Sequence, residues 1–285
     1  MNKQKIMISI PAYNEEKTIA KVIHEIKLIM SETNYEFIIH VLDDGSIDKT
    51  VETAIKAGAI VHSNKRNRGL AFTFKEEMRY FLKSSADVFV HTDADGQYKA
   101  KYIPELIEKL NTGYDLILGS RFKGEIEHMP LPKKLGNIAF AKVFTKLTKV
   151  NLTDTTTGFR CFNRTVAQEI KYINTFTYTQ EQILKSARYG FKIVEIPISS
   201  RKTRDSRLFN SSFQYAIRAW INILRIYRDY DPLKFFGSIG LSLIIISLGV
   251  FLYDSIVLII KGFSYIDNLI PSLLLISLIF LSSRS

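Results

Sequence analysis

Over its first 200 residues the chain alternates short apolar runs with amphipathic ones, and that rhythm restricts the possible folds more than any other feature. Lys5–Ile10, Phe37–Leu42, Ala59–His62, Asp87–Thr92 and Asp115–Leu118 read as strands. Between them, Glu15–Met30, Asp48–Ala57, Gly69–Leu82 and Tyr102–Leu110 read as helices. On the first helix Ile19, Val22, Ile23, Ile26 and Met30 share one face, and Asn14 is placed to cap it. Gly124–Leu135, with Pro130 and Pro132, reads as a loop, and Asn137–Lys149 as a further helix. This succession predicts an α/β domain: a mostly parallel sheet with helices on both faces. In such sheets ligands bind beyond the carboxyl ends of the strands, so the strand exits are where chemistry is expected.

The exits are rich in polar groups. They read Pro11-Ala-Tyr-Asn-Glu-Glu16, Asp43-Asp-Gly-Ser46, Asp93-Ala-Asp-Gly-Gln-Tyr98 and Gly119-Ser-Arg-Phe122. Asp93 and Asp95 stand two apart after an apolar run, and strand alternation would aim both carboxylates one way. Two oxygen ligands suit a hard cation, Mg²⁺ or Mn²⁺, with diphosphate oxygens at the remaining positions and Gln97 adding a carbonyl. Zinc is disfavoured, because there is no cysteine cluster and no His-x-x-x-His pair. Asp43 and Asp44 could accept hydrogen bonds from a base and a ribose. Equally, they could form an Asx turn that caps the helix starting near Asp48.

The C-terminus has a different character. No charged residue occurs from Phe235 to Tyr253, close to the roughly 20 residues that span a bilayer. A shorter apolar run, Leu269–Leu281, reads as a second span. Arg225, Arg228 and Lys234 precede the first run and Arg284 follows the second, which puts both ends on the cytoplasmic side. Ser211–Tyr230 reads as a helix whose Phe213, Ile217, Trp220, Ile221, Leu224 and Tyr227 form one apolar stripe. Such a stripe suits either a bilayer surface or an ordinary core. The expected organisation is a cytosolic catalytic domain over 1–210, a juxtamembrane helix over 211–232 and two transmembrane helices over 233–285, in a cell membrane. The single cysteine, Cys161, allows no intrachain disulfide. With 39 Lys+Arg against 28 Asp+Glu the formal charge is +11, which points to an anionic partner. The basic residues gather beside the apolar runs rather than in an aromatic-lined groove, so nucleic acid ranks low among those partners.

Taken together, IPAYNEE, LDDGS, NRG, DADGQY, GSRF and TDTTTGFR, followed by VEIPIS and the apolar runs, resemble glycosyltransferase family 2. The likeness is greatest to its dolichol-phosphate mannose synthase-like branch. The resemblance covers nearly the whole chain. It implies a GT-A fold, a donor that is a UDP- or GDP-linked sugar, a polyprenyl phosphate acceptor (undecaprenyl or dolichyl) and inversion at the anomeric carbon. It implies that Pro11, Ala12, Tyr13 and Glu15 border the nucleotide, with Asp44 and Asp43 beside them. Asp93, Asp95 and Gln97 would hold the metal and the donor diphosphate.

An acceptor phosphate needs cations, and Arg121, Lys133, Lys134 and Arg160 are the candidates. Asn137 matches a polar phosphate-contacting position, and Arg201 and Arg207 are expected at the diphosphate or acceptor. Asp154 would lie near the acceptor, orienting the nucleophile or the arginines, and Glu181 is a second acidic candidate there. Where the family often has Asn-x-Gly-Lys-Gly, this chain has Asn67-Arg-Gly-Leu-Ala71, and Arg68 could supply the local cation. Gln214, Arg218 and Trp220 echo a signature of processive synthases, with the wrong spacing. Two rival readings compete with this one: a haloacid dehalogenase-like phosphatase with Asp93 as nucleophile, and a non-catalytic nucleotide-sugar-binding membrane protein. The sequence leaves a homo-oligomer open.

Overall fold

Ile6, Ile8 and Ile10 are fully buried, and Met7 on the opposite face of the same strand is buried too. A strand with both faces covered belongs in the middle of a parallel sheet, and this one does. Each such buried side chain stabilises the fold by about 1.5–3 kcal/mol relative to exposure. The computed structural model describes residues 3–127, 129, 131–173, 178–201, 221, 224–225 and 227–261.

Seven strands form one sheet: β1 (Lys5–Ala12), β2 (Glu36–Asp43), β3 (Ile60–Ser63), β4 (Val88–His91), β5 (Leu116–Ser120), β6 (Arg160–Asn163) and β7 (Ile193–Pro197). Their order is β3-β2-β1-β4-β6-β5-β7. β6 alone runs antiparallel, between β4 and β5. The helices are α1 (Ile19–Ser31), α2 (Thr50–Lys56), α3 (Leu70–Lys83), α4 (Ile103–Asn111), α5 (Leu131–Thr148), α6 (Arg164–Glu169) and α7 (Thr179–Arg188). The five expected strands and four helices between them are all present. The residues buried on α1 are the five expected from its periodicity.

Some local expectations need correction. Asn14 does not cap α1, which starts after Thr18. It sits instead in the left-handed region at φ 55. Its Oδ1 accepts the Ile47 N–H at 2.9 Å, and its own N–H donates to Ser46 Oγ at 2.8 Å. It therefore ties the β1 exit to the β2 exit. α5 begins at Leu131, inside the expected loop. β4 stops at His91, so Asp93 and Asp95 lie in a turn past the strand, and strand alternation is not what orients them.

The antiparallel β6 has a topological consequence. Its first residue, Arg160, pairs with His91 and Leu118, so Thr153–Phe159 lie at the same sheet edge as the exits of β1, β2, β4 and β5. β7 leaves at that edge as well: Ser200 bridges to Tyr98 and to Ile126, and the Arg201 N–H donates to Gln97 O at 2.9 Å.

The chain divides into two compact units, Met1–Trp220 and Ile221–Ser285. In the second, α8 (Pro232–Lys261) starts where Asp231 accepts the Lys234 N–H at 3.2 Å, a capping contact to the first turn. Pro232 suits the first helical position. Within Pro232–Val257 the most apolar 18 residues have a mean hydropathy of 2.3 and none of them is buried, so this one helix among the described residues is long and apolar enough to cross a membrane. Asp254 falls within it. The second apolar run, Leu269–Leu281, and most of the expected 211–230 helix, including Gln214, Arg218 and Trp220, lie outside the described residues.

Candidate active site

Three loops meet at the exits of β1, β2 and β3. The Asp44 N–H donates to Ala12 O at 2.8 Å. The Asp44 carboxylate accepts from Asn64 Nδ2 at 2.9 Å, the Arg68 N–H at 3.0 Å and the Gly69 N–H at 2.8 Å. Asp43 accepts the Ser46 N–H at 3.2 Å. Asp43 thus closes its own turn but does not cap the next helix, which starts at Thr50 without a side-chain cap, while Asp44 fixes the 64–69 loop. Gly45 adopts φ +77, and a Cβ there would stand 2.6 Å from the Arg66 carbonyl carbon, so only glycine lets the two loops close up. Glu15 is buried and Tyr13 partly exposed just past the β1 exit. The Arg68 guanidinium lies 3.3 Å from the centroid of the Phe72 ring.

Asp93 and Asp95 follow β4. Gly96 takes φ 75 and the Gln97 N–H donates to Asp95 Oδ1 at 2.9 Å, which closes the turn. Burial, then the repulsion of Asp95, raises the Asp93 pKa to about 6. Across from it a Cβ on Gly158 would stand 2.9 Å from Asp93 Oδ1, so the missing side chain makes the carboxylate's seat. A carboxylate pair straining against its own repulsion fits a hard divalent cation with oxygen ligands. Among the described residues no cluster of three His, Cys, Asp or Glu could hold a metal alone. The remaining ligands would then be Gln97, water or diphosphate.

Arg121 comes next along the edge. Its Nε donates to Asp154 Oδ2 at 2.7 Å, its Nη2 to Asp154 Oδ1 at 2.9 Å and to Thr156 Oγ1 at 3.0 Å. Burial alone would raise the Asp154 pKa, but the guanidinium outweighs it and holds the carboxyl below its ordinary value. Arg121 is also electrostatically coupled to Asp93, so cation and carboxylate pair share one site. Glu195 on β7 steadies the turn: it accepts the N–H groups of Thr153 and Asp154 at 2.8 Å each, and faces Lys123 Nζ at 3.3 Å.

The other sequence candidates divide. Arg160 is fully buried, and its donors go to Thr157 O, Thr179 O, Gln182 Oε1 and Thr155 O. That corrects its expected place among the phosphate-binding residues: it clamps the turn from within. Glu181 accepts the Ile173 N–H at 2.8 Å and pairs with Lys185 at 2.7 Å, which secures α7 rather than an acceptor. Arg201 lies beside Gln97, but its guanidinium is paired with Glu25 at 2.8 and 3.1 Å. Asn137 is buried with no hydrogen-bond partner for its Oδ1, and Lys134 is exposed. The Lys133 side chain and Arg207 lie outside the described residues.

Residues 7–171 match the family model Glycosyl transferase family 2. The chain belongs to that family. It is 33% identical over 191 residues to the dolichyl-phosphate hexose transferase of Haloferax volcanii, covering 67% of this chain and 80% of that protein. To the dolichol-phosphate mannosyltransferase of Pyrococcus furiosus it is 28% identical over 86% of this chain and 71% of that one. Among solved structures, the glucosyl-3-phosphoglycerate synthase of Mycobacterium tuberculosis in complex with Mn²⁺ and UDP-glucose superposes with a TM-score of 0.63. The identity there is 21%, over 80% of this chain and 79% of that one, a likeness of fold. This glycosyltransferase thus has the GT-A-like architecture expected, and family membership sets aside the phosphatase and non-catalytic readings.

Missed by the sequence reading were Glu195, Ser9, Glu77 and His91. A glutamate inside the apolar stripe of α3, between Phe74 and Phe81, was the available signal for Glu77.

Proposed function

We propose that this glycosyltransferase moves a sugar from a nucleoside diphosphate carrier to a polyprenyl phosphate at a membrane surface, inverting the anomeric centre. One observation carries the reading. Asp93, with Asp95 two residues on, packs against Gly158 in the same 153–159 turn whose Asp154 holds the Arg121 guanidinium rigid. A site with carboxylates on one side and a fixed cation on the other suits the joining of two anionic reactants, whose repulsion must be neutralised.

Asp93 and Asp95, with Gln97, would hold Mg²⁺ or Mn²⁺, and such an ion supplies charge neutralisation on the departing diphosphate. Asp44 and Asp43 shape the nucleotide cleft from the β2 exit. Arg121 orients the acceptor phosphate, helped by Asn137 and the lysines of α5. The acceptor oxygen attacks the anomeric carbon as the carbon–oxygen bond to the diphosphate breaks, and the nucleoside diphosphate leaves with the bonding electrons. A phosphate is already anionic, so no proton has to be removed first. That suits Asp154, whose two oxygens are both engaged by Arg121, as an orienting group rather than a base.

The lipid acceptor is supported by the relatives' names and by α8, a helix long and apolar enough to cross a membrane. Incubation with a labelled nucleotide sugar and polyprenyl phosphate, with and without EDTA, tests this reading. The expected product is a lipid-phosphate β-sugar that EDTA abolishes. An α-linked product, or transfer indifferent to EDTA, would count against inversion or against the metal.

A further inference from the structure

A buried polar chain runs beneath the carboxylate pair. The His62 Nδ1 and His40 Nε2 atoms are 2.9 Å apart, and His40 Nδ1 lies 3.2 Å from Ser9 Oγ. Ser9 Oγ–H donates to Glu77 Oε1 at 2.7 Å, and Glu77 Oε2 faces His91 Nε2 at 3.3 Å. The His91 Nδ1–H then donates to the Gly158 carbonyl at 2.8 Å. Ser9, Glu77 and His91 are each fully buried. Burying polar side chains like these costs free energy that well-packed apolar groups of the same volume would avoid. In the middle of an otherwise apolar sheet, such a cluster calls for a role.

Its position indicates one. Gly158 is the residue whose bare Cα seats Asp93. Its carbonyl is anchored by His91, and its N–H donates to Tyr98 Oη at 3.1 Å. Glu77 Oε2 approaches the edge of the His91 ring, the Tyr178 hydroxyl lies 3.2 and 3.3 Å from its two nitrogens, and Phe74 packs against it. Glu77 also sits on α3, which begins at the Gly69 whose amide binds Asp44.

We infer that Glu77 and His91 form a positioning pair: through the Gly158 carbonyl they set where the Asp93 carboxylate stands, and so how tightly the site takes a divalent cation. This rests on the reading of Asp93 and Asp95 as metal ligands. Neither residue of the pair touches the reactants.

The test measures binding without turnover. The full chain in detergent is titrated with Mn²⁺ in the presence of UDP or GDP, whichever the unaltered protein binds, and melting temperature is followed in parallel. Glu77→Gln should weaken Mn²⁺ binding roughly tenfold, as loss of an outer support does for a metal ligand, while nucleotide binding without metal stays put. The double variant Glu77→Met, His91→Leu replaces the pair by apolar groups that pack in its place, so it should fold even where the single variant does not. It should show the same weakened Mn²⁺ binding while still unfolding cooperatively, at a melting temperature lowered by the Gly158 carbonyl and Ser9 hydroxyl that lose their partners. Wild-type Mn²⁺ binding in the folded double variant would overturn the inference and leave the proposed function intact. No metal-dependent nucleotide binding in the unaltered protein would overturn both.

Discussion

Asp154 and Arg121 meet through two parallel hydrogen bonds, Nε to Oδ2 at 2.7 Å and Nη2 to Oδ1 at 2.9 Å, with both side chains buried. A fork of this kind fixes the guanidinium plane as well as its position. The third contact, from Nη2 to Thr156 Oγ1, and the grip of Glu195 on the Asp154 backbone leave the pair little freedom. Arg121 is thus presented as a rigid charge.

Removing one partner leaves the other buried and unmatched. Asp154→Ala should cost about 3–5 kcal/mol of stability. Arg121→Lys keeps the charge but loses the fork. It should stay folded and lower the transfer rate roughly 10²-fold. Denaturant titration and initial transfer rates separate the two effects.

Gly158 tests the seat of Asp93 directly. In Gly158→Ala the new methyl would stand 2.9 Å from Asp93 Oδ1 and 3.4 Å from its Cγ. Overpacking of that size costs about 1–3 kcal/mol, which a folded domain can absorb. The displaced carboxylate should lower transfer roughly 10²-fold. Circular dichroism at the assay temperature shows whether the fold has survived.

Arg160 is expected to act on the fold. Arg160→Met leaves the Thr155, Thr157 and Thr179 carbonyls without the partner they have now. Each unmatched buried group costs about 1–3 kcal/mol, so the melting temperature should drop sharply. Where folded protein remains, the KM for the lipid acceptor should be close to that of the unaltered chain.

Sequence alone revealed the parts of this molecule that depend on near neighbours. The periodicity of α1 named its buried face because a helix repeats every 3.6 residues whatever surrounds it. Polar exits marked the sheet edge for a similar reason. What stayed hidden depends on distant contacts. β6 is four residues, Arg-Cys-Phe-Asn, with a charged first position and no alternation, so nothing local declares it a strand. Arg160 read as a phosphate-binding cation because burial is not written in a motif. The partners Glu77 and His91 meet only because α3 packs on the sheet beside β4. Asp93 and Asp95 stand past the end of β4, so strand alternation, which the sequence suggested, is not what orients them.

His40 gives the chain a pH signature. Burial, only partly offset by Glu77, lowers its pKa to about 4. Ser9, His62, Tyr80 and Glu77 are the polar groups around it. The unfolded chain takes up a proton near pH 6.5 that the folded chain refuses until about 4. Stability therefore falls as pH drops through that window, by at most about 3 kcal/mol from this group. The melting temperature of His40→Gln should decline less between pH 7 and pH 5 than that of the unaltered protein.

The central claim is that carboxylates at 93 and 95 support departure of a nucleoside diphosphate while a lipid phosphate takes the sugar. Membranes containing the protein, supplied in turn with each labelled nucleotide sugar, a polyprenyl phosphate and Mg²⁺ or Mn²⁺, test it most directly beside the Asp95→Ala variant. The account predicts that one donor labels the lipid and that the folded variant leaves it unlabelled. Equal labelling by both proteins, or labelled lipid from neither with any donor, would contradict it.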